Sequence, residues 1–151
     1  MTTIQLTTMI AAPVERCFDV ARDLDLHMRS MEHTWERAVA GRTSGLIELG
    51  ESVTWEARHF GVRQRLTSLI TAMDRPRHFR DEMTAGAFRE LAHDHWFDAR
   101  DGGTQMVDEV RFRSPYGLIG RLVDWAFMER YLRRLIEGRN RVIKLEAEKL
   151  A

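Results

Sequence analysis

The feature that most constrains this fold is a long run of strand-like alternation in the middle of the chain. From about residue 34 to residue 113, apolar and polar side chains alternate, with interruptions at glycines and at Arg75-Pro76. A period of two is typical of strands with one buried face, and the breaks indicate hairpin turns. The pattern predicts six antiparallel strands, at Trp35–Ala40, Ser52–Phe60, Arg63–Met73, His78–Thr84, Phe88–Ala99 and Thr104–Arg113.

Different patterns lie on either side of this run. Residues 3–10 alternate as a further strand, and two short helices are predicted after it, at Val14–Ala21 and Leu24–Met31. After Ser114-Pro115 the apolar period becomes helical and continues to about Glu148, which predicts one long helix of roughly 45 Å. Its apolar stripe is predicted to consist of Leu118, Leu122, Trp125, Leu132, Leu135, Val142 and Leu145.

The order of these elements predicts the architecture. One strand, two short helices, six strands and a long helix can bury their apolar faces together if the antiparallel sheet curls around the last helix. This is an α+β helix-grip fold of about seven strands, in a single domain over residues 1–151. A curled sheet and a helix diverge at one end, and the space between them is a natural site for a small apolar ligand.

Composition argues against several other functions. Acidic and basic residues are balanced at 23 each, so no nucleic acid partner is expected. The lone Cys17 cannot form an internal disulfide, and the first residues lack the pattern of a secretion signal, so we expect a cytoplasmic protein. The stretch 118–128 contains Arg121 and Asp124 and is much shorter than the roughly 20 apolar residues of a membrane-spanning helix. We expect no transmembrane segment and no cofactor.

A family resemblance is carried by this order of elements and by four phrases, IAAPVERCFDVARD, GLIELGESVTWEARHFGV, HDHWFDARDGGTQMVDEVRFRSP and YGLIGRLVDW. Together they resemble the START-like or Bet v 1-like superfamily, particularly its bacterial polyketide cyclase/dehydrase and lipid-transport members. The resemblance covers nearly the whole chain. It implies a cavity between sheet and helix that holds hydrophobic molecules, in members that range from passive carriers to ring-closing enzymes.

One strand carries the strongest candidates for chemistry. Its alternation places His93 and His95 on the same face as Phe97, and the hairpin that follows is predicted to set His95 opposite Met106 and His93 opposite Asp108. A carboxylate beside an imidazole fixes the tautomer of the ring, an arrangement suited to proton transfer with a carbonyl substrate. The alternative is a structural pair, because buried polar groups must find hydrogen-bond partners.

The same histidines raise the question of a metal. His93 and His95 point the same way from the strand, and with His59 or Asp108 they form a set of three ligands that zinc accepts. The His-x-His spacing alone is a weak signal, and no cysteine lies nearby in the sequence. We therefore predict no metal site.

Two further strands leave open which of their faces lines the pocket. In one, Trp55 and His59 share a face, and Arg58 lies on the other. An inward Trp55 would form a wall with His59 as a polar anchor, whereas an inward Arg58 would bind a ligand carboxylate or an internal Asp81. Besides the candidate catalytic pair, the predicted ligand contacts are Trp55, Arg58, His59, Asp81, Met83, His95, Phe97, Met106, Trp125, Met128 and Leu132.

Three functions are consistent with these features. We favour the binding of a small hydrophobic or aromatic molecule, such as a polyketide-like, lipid or isoprenoid compound, by a monomer or homodimer. The first alternative is a polyketide cyclase or dehydratase that uses His93 and Asp108 in acid–base chemistry, so enzymatic activity is left open. The second is a macromolecular regulator that acts through the basic side chains of the last helix, Arg130, Arg134, Arg141 and Lys144.

Overall fold

Seven antiparallel strands form one curved sheet in the computed structural model, which describes residues 1–149. The strands are β1 Thr2–Ile10, β2 Arg37–Gly41, β3 Ser52–His59, β4 Val62–Asp74, β5 His78–Ala85, β6 Glu90–Arg100 and β7 Gly103–Arg113. Across the sheet their order is β1-β7-β6-β5-β4-β3-β2. Strands β2 to β7 therefore form a continuous meander, and β1 pairs with its last strand.

The helices occupy the predicted positions. They are α1 Val14–Ala21, α2 Leu24–Ser30, α3 Gly117–Val123 and α4 Glu129–Glu148, with a 3₁₀ turn at Glu32–Thr34 after α2 and a π turn at Asp124–Met128 between α3 and α4. The predicted α+β helix-grip fold is confirmed, with strand bounds within two residues of the prediction. No helix within residues 1–149 is long and apolar enough to cross a lipid bilayer.

Local sequence signals explain where the short helices begin. Pro13 stands at the N-terminal boundary of α1, where a missing N–H leaves no hydrogen bond unmade. The carboxylate of Asp23 caps α2 by accepting from the N–H groups of Asp25 at 3.0 Å and Leu26 at 3.3 Å. These two breaks turn the chain after β1 so that α1 and α2 both pack against α4.

The core consists of two apolar clusters with a polar layer between them. In the first cluster, Phe18 of α1 contacts Phe79 and Phe97 edge-on, with ring centroids 5.4 and 5.5 Å apart. The second cluster lies further along the same strands and helix and contains Ile4, Val110, Phe112 and Ile136. Along β7, buried Met106 belongs to the first cluster and Val110 to the second, and Asp108 lies between them.

The predicted apolar stripe of the last helix was partly wrong. Of its seven residues, Leu118, Leu122, Trp125 and Leu145 are exposed. The buried positions of α4 are Ile136, Arg139, Asn140, Ile143 and Ala147. Two polar side chains occupy the middle of this face, and the π turn shifts α3 out of line with α4. A search for apolar periodicity alone could detect neither effect.

The predicted register of the β6–β7 hairpin was also wrong, by two residues. Phe97 was expected opposite Thr104, but it pairs with Met106, and His95 pairs with Asp108. The cause is a tight two-residue turn at Asp101 and Gly102, both with positive φ, which is typical of an Asp-Gly hairpin. The predicted pairing would require the turn to lie at residues 100 and 101, and moving the turn one residue later along the chain shifts every cross-strand pair by two positions.

The start of the C-terminal helical segment is anchored by two close contacts. The carboxylate of Asp124, which is buried, accepts a hydrogen bond from the N–H of Ser114 at 3.0 Å and another from the Ser114 hydroxyl. Gly120 packs so closely on the preceding chain that a Cβ there would lie 2.1 Å from the carbonyl oxygen of Pro115. These contacts hold α3 against the end of β7.

Replacing Gly120 with alanine is expected to destabilise the protein, because the added methyl group would collide with backbone rather than with a movable side chain. We expect the free energy of unfolding, measured by urea denaturation, to fall by about 2 kcal/mol. Gly138→Ala is the matched control, since its Cβ would meet only the end of Arg141, at 3.5 Å. That variant should gain about 0.5–1 kcal/mol from helix propensity. Equal effects at the two sites would contradict this account of α3.

Candidate functional site

A cavity of about 520 Å³ lies between the inner face of the sheet and the C-terminal helical segment. Its wall is mainly apolar, and the polar side chains that line it include a hydrogen-bonded cluster from β5, β6 and α4. Apolar or aromatic residues that line it include Trp55, Leu66, Phe79, Leu91, Met128 and Leu132. Cavities of this size hold drug-sized molecules.

The positions of the β3 side chains show which face of that strand points into the cavity. Trp55, Ala57 and His59 line the cavity, and the Trp55 ring packs against the tilted ring of His27 with centroids 4.4 Å apart. Arg58 points to the outer surface, where its guanidinium lies 5.3 Å from the ring centroid of Trp35. The prediction of Arg58 as a ligand contact therefore has no support from its position, because strand alternation places it on the opposite face.

One edge of the cavity is closed by contacts between the β3–β4 turn and α4. The His59 ring hydrogen-bonds to the hydroxyl of Tyr131, and the ring of Phe60 lies 4.6 Å from that of Tyr131. Burial lowers the pKa of His59 and raises the pKa of Tyr131. Both groups are therefore neutral at neutral pH, and the edge is held by an uncharged hydrogen bond and aromatic packing.

The polar cluster joins β5, β6 and β7. His93 Nε2 lies 2.7 Å from Asp108 Oδ1, and His95 Nε2 lies 2.7 Å from Asp81 Oδ2. The two imidazole rings stack with centroids 3.7 Å apart. The predicted pairing of His93 with Asp108 exists, although it is diagonal across the hairpin rather than directly opposite, since Asp108 is paired with His95.

Helix α4 completes the cluster with two side chains. Asn140 donates to Asp108 Oδ2 at 2.7 Å, and the Arg139 guanidinium lies 3.4 Å from Asp108 Oδ1. Arg139 also donates to the carbonyl oxygen of Ala21 at 3.1 Å, although only 6% of the residue is exposed. Since Asp108 is 1% exposed, its charge depends on these partners rather than on water.

The protonation states of the cluster follow from burial and hydrogen bonding. Burial alone would raise the pKa values of both carboxylic acids. The hydrogen bond from His95 instead lowers the pKa of Asp81 to about 2, and the hydrogen bond from His93 together with the charge of Arg139 holds the pKa of Asp108 well below its usual range. Burial and the neighbouring His95 lower the pKa of His93, and the hydrogen bond to Asp108 offsets this only in part. Both carboxylates are therefore ionised at neutral pH, and His93 is neutral.

The neutral ring of His93 presents a lone pair to the cavity. Its Nε2–H donates to Asp108, which leaves Nδ1 unprotonated. His93 lines the cavity. Its Nδ1 has no hydrogen-bond partner within residues 1–149, and this atom is accessible rather than buried. Asp108 thus fixes the tautomer and orientation of a hydrogen-bond acceptor in the cavity wall.

The cluster is a poor fit for a resident metal ion. Asp81, His93 and His95 each offer a ligand atom, all within 4.8 Å of one another. However, His93 and Asp81 are engaged in hydrogen bonds to other members of the cluster, and Nδ1 of His95 lies 3.4 Å from the Arg139 guanidinium. A fixed positive charge at that distance opposes binding of a cation. His59 and Asp108, which the sequence offered as a third ligand beside the two histidines, lie outside this group of three.

A family model described as polyketide cyclase / dehydrase and lipid transport matches residues 1–148. The chain belongs to this family. The match covers every strand and helix described above, so the cavity and its polar cluster lie within the region that the family shares. A search of curated proteins gave no match.

Solved structures with the same fold come from distant organisms. The chain is similar to TTHA0849 from Thermus thermophilus, with a TM-score of 0.72, 19% identity and coverage of 94% of this chain and 97% of that one. A START superfamily protein from Mycobacterium smegmatis gives a TM-score of 0.73 at 10% identity, covering 99% of both chains. Major latex-like protein 151 from Panax ginseng gives 0.68 at 10% identity, covering 97% of both. At these identities the likeness establishes the fold alone.

Within this family fold, the predicted site residues fall into two groups. Those that line the cavity are Trp55, His59, Asp81, His93, His95, Met128 and Leu132. The others do not line it: Asp108 supports the cluster from behind, Phe97 and Met106 are packed in the first apolar cluster, Met83 is half-buried near the end of β5, and Arg58 and Trp125 are exposed. Asp81 bonds to Ser68 and His95 rather than to the predicted Arg58.

Sequence reasoning missed the two residues that connect the helix to the cluster. Arg139 and Asn140 lie three and four positions after buried Ile136, and four and three before buried Ile143. That spacing places them on the buried face of an α-helix. Tyr131, which bonds to His59, was likewise not assigned to the site.

Replacing Asp108 with asparagine is expected to destabilise the protein strongly at neutral pH. The amide cannot accept all three hydrogen bonds, and the charge of buried Arg139 would lose the carboxylate that it pairs with, so we expect a loss of about 3 kcal/mol in the free energy of unfolding. The control is Asp98→Asn, because Asp98 is exposed on the same hairpin and pairs with the exposed side chain of Arg100. Its effect should be below about 0.5 kcal/mol in the same denaturation experiment.

The difference in the free energy of unfolding between the wild type and Asp108→Asn should also depend on pH. Because the pKa of Asp108 is lowered in the folded protein, the unfolded chain binds the proton first as the pH falls through its ordinary value of about 3.9. The advantage of the wild type over Asp108→Asn is therefore complete above about pH 5 and declines in more acidic solution. A difference that does not change with pH would contradict the assigned charge of Asp108.

Proposed function

We propose that this protein binds a small, mainly apolar molecule that carries one hydrogen-bonding group. The observation that supports this most directly is the cavity of about 520 Å³, whose mainly apolar wall includes one hydrogen-bonded cluster of polar side chains from the sheet and α4. Burial of apolar ligand surface would supply most of the affinity, at roughly 25 cal/mol per Å². The cluster would fix the orientation of the ligand.

The chemistry of the cluster favours a ligand with a hydrogen-bond donor. Nδ1 of neutral His93 is an acceptor that faces the cavity. A ligand carboxylate at this position would meet the lone pair of Nδ1 rather than a hydrogen-bond donor, whereas an alcohol or phenol hydroxyl would donate to it. We therefore infer an aromatic or aliphatic hydroxyl compound, a class that includes phenolic polyketides.

The binding proposal can be tested with β-naphthol, a fluorescent aromatic alcohol. Leu132→Trp places a larger ring in the cavity wall and is expected to weaken binding by about tenfold, measured by fluorescence titration. Leu145→Trp makes the same substitution on the exposed side of the same helix and should bind like the wild type. Equal affinity of the two variants would show that the probe does not occupy the cavity.

A second candidate function is cyclisation or dehydration of a carbonyl compound, and one observation favours it. His93 combines an unprotonated Nδ1 facing the cavity with an Nε2–H held by ionised Asp108. Nδ1 would take a proton from the carbon next to a ketone, and the C–H electron pair would form an enolate that attacks a second carbonyl carbon of the same molecule. The alkoxide so formed would recover the proton from His93. Asp108 would stabilise the transient imidazolium.

The proton-abstraction step can be tested without the natural substrate. Wild-type protein is expected to accelerate exchange of the methyl protons of methyl naphthyl ketone into deuterated water, measured by NMR, and His93→Gln should reduce that acceleration by about a hundredfold. The rate should fall as the pH drops through the lowered pKa of His93, because only the neutral ring accepts a proton. Binding of β-naphthol serves as the control for the cavity. Absence of acceleration by the wild type would leave binding as the function.

A further inference from the structure

The C-terminal helical segment carries a large apolar surface that the rest of the protein does not cover. We call it the α3 surface, and its members are exposed by 63% to 83%: Tyr116, Leu118, Ile119, Leu122, Trp125 and Phe127. Six large apolar side chains within twelve residues make a patch on the order of several hundred Å². On a protein surface, a contiguous patch of this size marks a site of interaction.

The exposure of these side chains is a consequence of how α3 is held. The opposite side of α3 is fixed by the contact of Gly120 with Pro115 and by the hydrogen bonds between Asp124 and Ser114. Gly120 and Asp124 are buried. The same contacts that attach α3 to the end of β7 thus direct its leucines and aromatic rings outward, where they remain in the folded state.

Three arginines lie beside the α3 surface. Arg89, Arg113 and Arg121 line a cleft of about 250 Å³ together with Leu118. Arg113 is paired with Glu90 at 2.5 Å, but no carboxylate within residues 1–149 lies in salt-bridge distance of Arg89 or Arg121. The only acidic residue between positions 110 and 128 is Asp124, which is buried. The patch is therefore apolar with a positive margin.

We propose that the α3 surface docks on an anionic lipid bilayer, with the arginines of the cleft contacting lipid phosphates. Leucine, isoleucine and aromatic side chains on one side of a helix enter the boundary between headgroups and acyl chains, and tryptophan and tyrosine favour that depth. Guanidinium groups at the margin would bind the phosphates. A second copy of the chain fits less well, because a two-fold contact would bring the same positive margins of both copies together.

The docked orientation would bring the ligand cavity to the bilayer. Val123 and Met128 lie in the same helical segment as the α3 surface, and both line the cavity. A molecule could then pass between the bilayer and the cavity beside the π turn. This last step rests on the proposed ligand-binding function, whereas docking itself does not.

The test is flotation of the protein with lipid vesicles. We expect the wild type to bind vesicles of equal parts phosphatidylcholine and phosphatidylglycerol, and to bind pure phosphatidylcholine roughly tenfold more weakly. The double variant Leu118→Ser, Leu122→Ser should lose binding to mixed vesicles by about tenfold or more. Arg121→Gln should lose roughly fivefold on mixed vesicles and nothing on pure phosphatidylcholine.

The matched control is Leu49→Ser, Leu145→Ser, which removes two exposed leucines outside the α3 surface and should float like the wild type. Thermal unfolding and β-naphthol titration of each variant separate loss of docking from loss of the fold or of the cavity. Failure of the wild type to float would overturn the proposal, as would equal flotation of the two double variants. A wild-type dimer that Leu118→Ser, Leu122→Ser dissociates, together with absence of flotation, would identify a second copy as the occupant instead.

Discussion

The arrangement of this protein depends on one buried carboxylate. Asp108, in the middle of β7, accepts hydrogen bonds from His93 on the neighbouring strand and from Asn140 on α4, and it is paired with the charge of Arg139. A buried charge costs several kcal/mol unless it is paired and hydrogen-bonded, so sheet and helix must keep the relative position that satisfies it. Apolar packing alone would permit small shifts of the helix, whereas these contacts specify one position.

This polar layer also explains why the interior is not filled. On either side of it, apolar residues of β6, β7 and α4 form the two clusters, with Phe97, Met106 and Ile143 on one side and Val110 and Ile136 on the other. In the polar layer, the imidazole, carboxylate, amide and guanidinium groups are held at hydrogen-bond distances from one another. Their side chains therefore do not fill the remaining space. The space toward β3 and β4 is lined by Trp55 and Leu66 and stays open. The cavity and its polar anchor are thus two consequences of one network.

Much of the fold could be predicted from the sequence, because alternation is a local signal. Strand bounds agreed within two residues, and the His93–Asp108 pair was found even though the register was wrong, since residues diagonal to each other across a hairpin remain within reach of an imidazole ring. The inner face of β3 could not be predicted, because each face has an aromatic residue and a polar nitrogen-containing one, His59 on one face and Arg58 on the other. Arg139 was missed for a different reason: arginine is seldom buried, and its partners lie far away in the chain.

Apolar periodicity alone placed the wrong residues of the last helix in the core, because it does not reveal a π turn. Leu118 and Ile136 are eighteen residues apart, five full turns of a regular α-helix, so a continuous helix would place both on the buried face. The π turn at Asp124–Met128 contains one residue more than an α-helical turn. This extra residue rotates α3 by about 100° about the helix axis relative to α4. Leu118 and Leu122 therefore leave the core, although their spacing is that of core residues. An apolar stripe shows that a helix face has a partner, and only the path of the backbone decides whether that partner is the protein's own sheet or a surface outside it.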